Sequence, residues 1–273
     1  MKFSDAVKAV AIRNDRITSN LIRRLYNARV LNYDSAGRWA VRLGNRTYLN
    51  GISYDLDNPL LPEFFKGLIV VDLYEKDERQ VIEEYLPVGE PVIELGASIG
   101  VVSCMVNSKL KFPAKHVVVE ANPVLIPTLT KNRDINGCQF AIIEAAIGYG
   151  SETVTFFSNG MSLVGSIYLG GGEKWEVRTK TLQSIAEEAH FDRFTLICDI
   201  EGSEIGMLEN EMAFIREHVG TLLMETHEDT PYKEAGVTQV LETLAANGFK
   251  MAESIHSNHC FRNKAFMKVS WRE

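Results

Sequence analysis

The chain has no apolar run of the roughly 18–20 residues that a helix needs to cross a bilayer, although 45% of its 273 residues are hydrophobic. Its start, Met1-Lys2-Phe3-Ser4, carries no apolar core closed by a small-residue cleavage site, so a secretory leader is not expected. Cysteine is scarce: Cys104, Cys138, Cys198 and Cys260 are scattered, with no C-x-x-C pair. That excludes a disulfide framework and a paired-cysteine zinc site, and it fits a reducing, cytoplasmic compartment. Basic charge is in deficit, with 29 Lys/Arg against 36 Asp/Glu and a net charge of −7. Such a balance argues against nucleic acid as the main ligand. The deficit is uneven, because residues 1–50 hold ten Lys/Arg and only three Asp/Glu. Internal repeats and low-complexity segments are absent as well.

What is present is alternation. Ser4 to Ala28 has helical apolar spacing (Val7, Val10, Ala11, Ile17, Leu21, Ile22, Leu25). Trp39 to Leu49 alternates and predicts a hairpin turning at Gly44-Asn45. After a proline-containing connector, helical and apolar stretches follow each other from Asp77 onward. Helices are predicted near 77–86, 101–106, 123–136, 182–189, 204–214 and 237–247. Strands are predicted near 91–94, 116–120, 140–146, 153–158, 194–200 and 220–225, with the last two at 249–253 and 264–269. This pattern predicts an α/β fold with a largely parallel, doubly wound sheet. Residues 1–68 are expected to form a helical arm and hairpin, and 69–273 the main domain.

The most informative stretch is Val92-Ile93-Glu94-Leu95-Gly96-Ala97-Ser98-Ile99-Gly100. It reads as strand, glycine turn and helix start, the layout that brings a backbone close to a nucleotide-like ligand. A second strand, His116 to Glu120, ends in an acid suited to a ribose hydroxyl pair. The turn does not suit a dinucleotide. The second glycine of G-x-G-x-x-G, where pyrophosphate approaches, is replaced by Ser98, and Glu94 would repel phosphate. An acid before the turn suits a ligand with a cationic amino group and no phosphate, such as S-adenosylmethionine.

In ordered succession, Leu73-Tyr74-Glu75, Ile93 to Gly100, Val119-Glu120-Ala121-Asn122-Pro123, Leu129 to Gly137, Ala145-Ala146-Ile147-Gly148, Thr181-Leu182, Cys198-Asp199-Ile200-Glu201-Gly202-Ser203-Glu204 and Leu223-Met224-Glu225-Thr226-His227 resemble the FkbM-type family of S-adenosylmethionine-dependent methyltransferases. The resemblance spans about 70 to 228. It implies a class I methyltransferase, Rossmann-like sheet of seven strands with the cofactor over the first of them. It also implies O-methylation of a hydroxyl on a sugar, glycan or related natural product. The cofactor would then meet Tyr74, Glu75, Glu94, Gly96, Ala97, Ser98, Gly100, Glu120, Ala121, Asn122, Ala145, Ala146 and Asp199. Two departures stand out: the family commonly has Asp at the position of Glu94, and Lys at that of Cys198.

Ligands of such sheets sit beyond the carboxyl ends of the strands. Asp199 with Glu201, and Glu225 with His227, are each spaced by two at strand ends and are expected to converge there. They are the candidate catalytic residues, as a general base or as an oxygen-rich metal site; no metal ligand is assigned. His256-Ser257-Asn258-His259-Cys260 lacks a metal-ligand spacing and reads as a polar turn between the last two strands. The glycine-containing segment 159–175 is expected to act as a lid. The arginines at 13, 16, 23, 24 and 29 suggest docking of the basic arm on a second subunit. Two other functions fit less of the sequence: a non-catalytic methyltransferase-like binding module and a nucleic-acid methyltransferase. Against the second, the segment Cys198-Asp199-Ile200-Glu201-Gly202 lacks the Asn/Asp-Pro-Pro-aromatic element typical of enzymes that methylate amino groups of bases.

Overall fold

The computed structural model describes residues 3–158, 165–166, 173–227 and 233–266. Helix α1 (Phe3–Asn27) is followed by α2 (Tyr33–Arg42), which Asn32 caps by accepting from Ser35 N at 2.9 Å. The hairpin comes later than the alternation predicts. It pairs β1 (Arg46–Leu49) with β2 (Ile52–Asp55), and Leu49 faces Ile52 across Asn50-Gly51. Both turn residues have positive φ, 47° and 94°, the geometry Asn-Gly favours in a two-residue hairpin. Gly44-Asn45 instead ends α2. Two short helices, α3 (Glu63–Val70) and α4 (Lys76–Tyr85), lead into the main sheet.

That sheet has seven strands: β3 (Val92–Leu95), β4 (His116–Glu120), β5 (Ala141–Glu144), β10 (Phe194–Cys198), β11 (Val219–Glu225), β12 (Phe249–Ile255) and β13 (Asn258–Asn263), ordered β12-β13-β11-β10-β3-β4-β5. All neighbours are parallel except β13, which runs antiparallel between β11 and β12. The expected doubly wound, mostly parallel seven-stranded sheet is therefore present. Strands β3, β4 and β10 are buried throughout, as continuous apolar runs in parallel sheets require. Helices α5 (Val101–Lys109) and α6 (Ile126–Asn136) join one face; α7 (Leu182–Ala189), α8 (Glu204–His218) and α9 (Lys233–Ala246) join the other. A smaller sheet, β6 (Ala146–Ile147), β7 (Thr153–Ser158), β8 (Gly165–Ser166) and β9 (Glu173–Lys180), extends from the end of β5.

The last strand also departs from expectation. It is Asn258–Asn263, which begins inside the segment read as a polar turn, while Lys264 to Phe266 turns away and 267–273 lie outside the described residues. Only His256 and Ser257 turn. Cys260 and Phe261 then enter the core, and His259 is held by Thr226 Oγ1 at 3.1 Å and Ser254 Oγ at 2.9 Å.

The N-terminal segment packs on the α5–α6 face through a shared core in which Ile22, Ala36, Leu49, Tyr54 and Leu56 join Val101, Val106 and Leu129. Polar ties fix the join. Asn132 accepts from Asp55 N at 2.6 Å and donates to Asp55 O at 3.2 Å and Ile99 O at 2.9 Å. Asn136 accepts from Ser53 N and donates to Ser53 O.

Candidate functional site

The turn after β3 is a sequence of left-handed backbone: Gly96 at φ 88°, Ser98 at 52° and Gly100 at 85°. Gly96 is needed for a reason the sequence does not show. A Cβ there would lie 1.6 Å from the Asp199 carbonyl oxygen, so glycine lets the ends of β3 and β10 meet. At Gly100 a Cβ would lie 2.7 Å from Leu129 Cδ1, where α5 and α6 pack. Both glycines thus make room for the protein itself, a requirement additional to the expected close approach of a ligand. The helix that follows begins at Gly100 and carries Ser103 back beneath β3.

Glu94 departs from its expected role more sharply. It is 1% exposed, its Oε1 accepts from Ser103 Oγ and its Oε2 lies 3.1 Å from His116 Nε2. Val92 and Glu94 share the sheet face covered by α5, so the carboxylate is used up inside the sheet–helix interface. It does not reach the space above the turn.

Glu120, at the end of β4, does border that space. Its two oxygens accept from Ser98 N at 2.7 Å and Asn122 N at 2.6 Å. Burial pushes its pKa up to about 7 in spite of these backbone bonds. Asn122 is buried and accepts from Val124 N, but its Nδ2 donor has no partner among the described residues. Ala121 is half-buried, and Ala145 and Ala146 are small and buried where β5 gives way to β6. Tyr74 donates to Ser98 Oγ at 3.4 Å, which sets the segment before α4 against the turn. Glu75 follows at φ 47° as the first residue of that helix's cap, half-buried, with its pKa driven well up by burial and by Asp199.

The expected convergence at the ends of β10 and β11 forms around His227. Its Nε2 lies 3.2 Å from Asp199 Oδ1 and 3.4 Å from Glu201 Oε2, and its Nδ1 lies 3.1 Å from Glu204 Oε1. Burial opposes a charge on the ring, but Asp199 and Glu204 outweigh it and hold the pKa up to about 12. That environment favours the imidazolium, the form of the ring that donates a proton rather than accepts one. Glu201, at φ 50°, has its pKa pushed up to about 8 by burial and by Asp199, with His227 pulling the other way. Glu225 is held by Ser257 Oγ at 2.7 Å, and burial and Asp199 raise its pKa too.

Two acids of this group escaped sequence reasoning. Glu204 reads as a helix-start residue, and it is one, but it also accepts from Ile200 N and holds His227. Glu78 is 7% exposed on α4. Its signal was available, since it follows Glu75 by three residues and so shares its helix face. The segments 159–164, 167–172 and 228–232, including most of the expected lid, lie outside the described residues.

No protein-family profile matches the chain, and no curated protein matches it. Solved structures do. A protein of the NADB-Rossmann superfamily from Streptococcus agalactiae is 14% identical, covers 68% of each chain and superposes with a TM-score of 0.43. A ribosomal-protein methylase from Lactobacillus delbrueckii is 9% identical over 69% of this chain and 77% of its own, with a TM-score of 0.41. Fibrillarin from Aeropyrum pernix, solved with natively bound S-adenosyl-L-methionine, is 12% identical over 79% and 80%, with a TM-score of 0.41.

Proposed function

We propose that this chain is an S-adenosylmethionine-dependent O-methyltransferase acting on a hydroxyl of a sugar, glycan or related natural product, of the FkbM type. The observation that carries the cofactor reading is the state of the turn. The Ser98 N–H, which would face a pyrophosphate, is taken by Glu120, and the carboxyl groups of Glu75, Glu78 and Asp199 gather beside the turn. A phosphate would meet oxygen acceptors there rather than a free donor, whereas a ligand with a cationic amino group and ribose hydroxyls brings donors to them. The residues fit: Glu120 offers acceptors to ribose hydroxyls, and Asn122 Nδ2 is a buried donor without a partner among the described residues. When bound, S-adenosylmethionine supplies a methyl group activated by its sulfonium.

The chain's own part is to place the acceptor hydroxyl in line and remove its proton. Glu201 is the base best matched to that task, since a carboxyl with a pKa of about 8 combines available base with appreciable basicity. Asp199 and Glu204 keep His227 protonated, and the imidazolium in turn keeps Glu201 from rising further. The substrate class rests on the resemblance of the Tyr74-Glu75, Asp199 to Glu204 and Glu225 to His227 segments.

Calorimetry with S-adenosylmethionine tests the cofactor reading. The wild-type protein should bind it, and Glu120→Ala should weaken binding by roughly 1–3 kcal/mol, the scale of hydrogen bonds to a charged group. No heat of binding in the wild-type protein would reject the reading. Methyl-labelled cofactor with a panel of hydroxylated glycans and natural products then identifies the acceptor.

A further inference from the structure

The acids near the turn fall into two sets that share Asp199. In one, Asp199, Glu201 and His227 meet, and both ring nitrogens are already engaged, Nε2 by Asp199 and Glu201 and Nδ1 by Glu204. In the other, ligand oxygens of Glu75, Glu78 and Asp199 all lie within 4.8 Å of one another, with no histidine or basic group in the set. Arg79, the nearest guanidinium along α4, is engaged with Asp72 at 2.7 Å and with Tyr74 O at 3.1 Å.

Glu78 gives this second set its meaning. Its side chain is more than nine-tenths buried, and among the described residues it makes no hydrogen bond and no ion pair. The groups that act on it most, Glu75, Asp199, Glu225 and Glu94, are all acids. Asp199 Oδ1 is sealed from solvent without an aligned hydrogen bond among the described residues, and His227 Nε2 lies 3.2 Å from it. A buried carboxylate aimed at two others is costly, so the group holds protons when empty and gives them up to a cation that completes it.

We infer that Glu75, Glu78 and Asp199 form a site for a hard divalent metal cation, held between the first turn of α4 and the end of β10. The donor set is all oxygen, which selects Mg²⁺, Mn²⁺ or Ca²⁺ over softer metals. Oxygens up to 4.8 Å apart can share one ion at the roughly 2.1–2.6 Å these metals take. Three acids on hard oxygen donors also match a doubly charged ion. Three protein ligands leave coordination positions for water or for a hydroxyl oxygen of an acceptor. The spacing is local on the chain: Glu75 and Glu78 are one helical turn apart, and the Gly96 contact with the Asp199 backbone fixes the third ligand against them.

The test uses the full chain stripped of metal with a chelator and titrated calorimetrically with MnCl₂ and CaCl₂. The site predicts saturable one-to-one binding below about 1 mM and a raised melting temperature. Glu78→Gln should lose about 10–100-fold in affinity, while Glu144→Gln, an exposed acid on the edge strand β5, should bind as the wild type does. Melting of the metal-free Glu78→Gln protein at or above the wild-type temperature establishes that the variant is folded, since it removes a repelled charge. Binding equally tight in Glu78→Gln would overturn the site, as would no binding in the wild type. If no metal binds and Glu78→Gln instead loses affinity for S-adenosylmethionine, the three acids receive the cofactor's cationic end and the metal assignment is wrong.

Discussion

At the scale of single residues, the site is governed by burial acting on acids that stand close together. Glu120 and Glu201 have folded-state pKa values of about 7 and about 8, above the ordinary 4.5. Raised values mean that the protonated forms favour the fold. Their contribution is full below about pH 4.5 and is lost as pH rises through about 7 and about 8. His227, raised from 6.5 to about 12, acts in the same direction, its contribution declining above about 6.5. A melting series of the ligand-free protein from about pH 5 to about pH 9 should therefore show falling stability, and Glu201→Gln should flatten the slope; a slope unchanged in the variant would remove Glu201 from the account. The same substitution should lower turnover by roughly 10²–10⁴-fold if Glu201 is the base. The limb of the pH–rate profile near pH 8 should go with it. Gly96→Ala should be more damaging than its size suggests, because its Cβ would meet backbone at 1.6 Å; circular dichroism should find the fold lost or severely weakened. The sequence announced that Gly96 mattered but not that a neighbouring strand was the reason, since that strand arrives a hundred residues later.

At the scale of elements, what the sequence made legible was set by local pattern, and what it hid was set by partners. The strands β3, β4 and β10 were plain because fully buried parallel strands are continuous apolar runs. The hairpin was misplaced because Trp39-Val41-Leu43 alternates as a strand would, yet Asn32 caps a helix across them, and the stronger turn signal was Asn50-Gly51. Strand β13 was hidden because Asn258, His259, Arg262 and Asn263 are polar, and their partners lie on β11, β12 and α8. Acids at strand ends were easy to find; that Glu94 turns down to Ser103 and His116 required the helix above it. The element-level prediction concerns Asn132, fully buried on α6, which ties the β1–β2 hairpin and the glycine turn to that helix. Asn132→Ala leaves three backbone groups without their partner, and should cost at least about 1–3 kcal/mol in urea unfolding. A smaller loss would mean that water replaces the amide.

At the scale of the whole molecule, the basic arm is part of the body. Arg23 donates to Tyr48 O at 2.8 Å and to Val70 O at 3.3 Å, Arg16 lies over the Tyr48 ring, and Ile22 is in the shared core. Removing residues 1–30 should therefore lower the melting temperature of the remaining chain, by an amount that adding a second subunit cannot restore. A truncated protein that melts as the intact one does would return the arm to the role of a detachable docking element. The charge asymmetry along the sequence is thus partly resolved within one chain, since Lys131 and Arg46 from different segments meet Asp55 at 2.7 Å and 3.8 Å.

The position of β13 bears on how the chain comes off the ribosome. Strand β11 is complete at residue 225, but its outer partner is β13, which begins at Asn258. Until more than thirty further residues have emerged, β11 is an edge strand containing the apolar run Leu222-Leu223-Met224, with the peptide groups on its outer side unpaired. Such an edge invites pairing with another nascent chain. Chains halted near residue 247 should therefore pellet with ribosomes or chaperones, while chains released after residue 266 should not. Glu225 reaches its Ser257 partner only with that last step, so the molecule finishes its acceptor side at the moment it finishes its sheet.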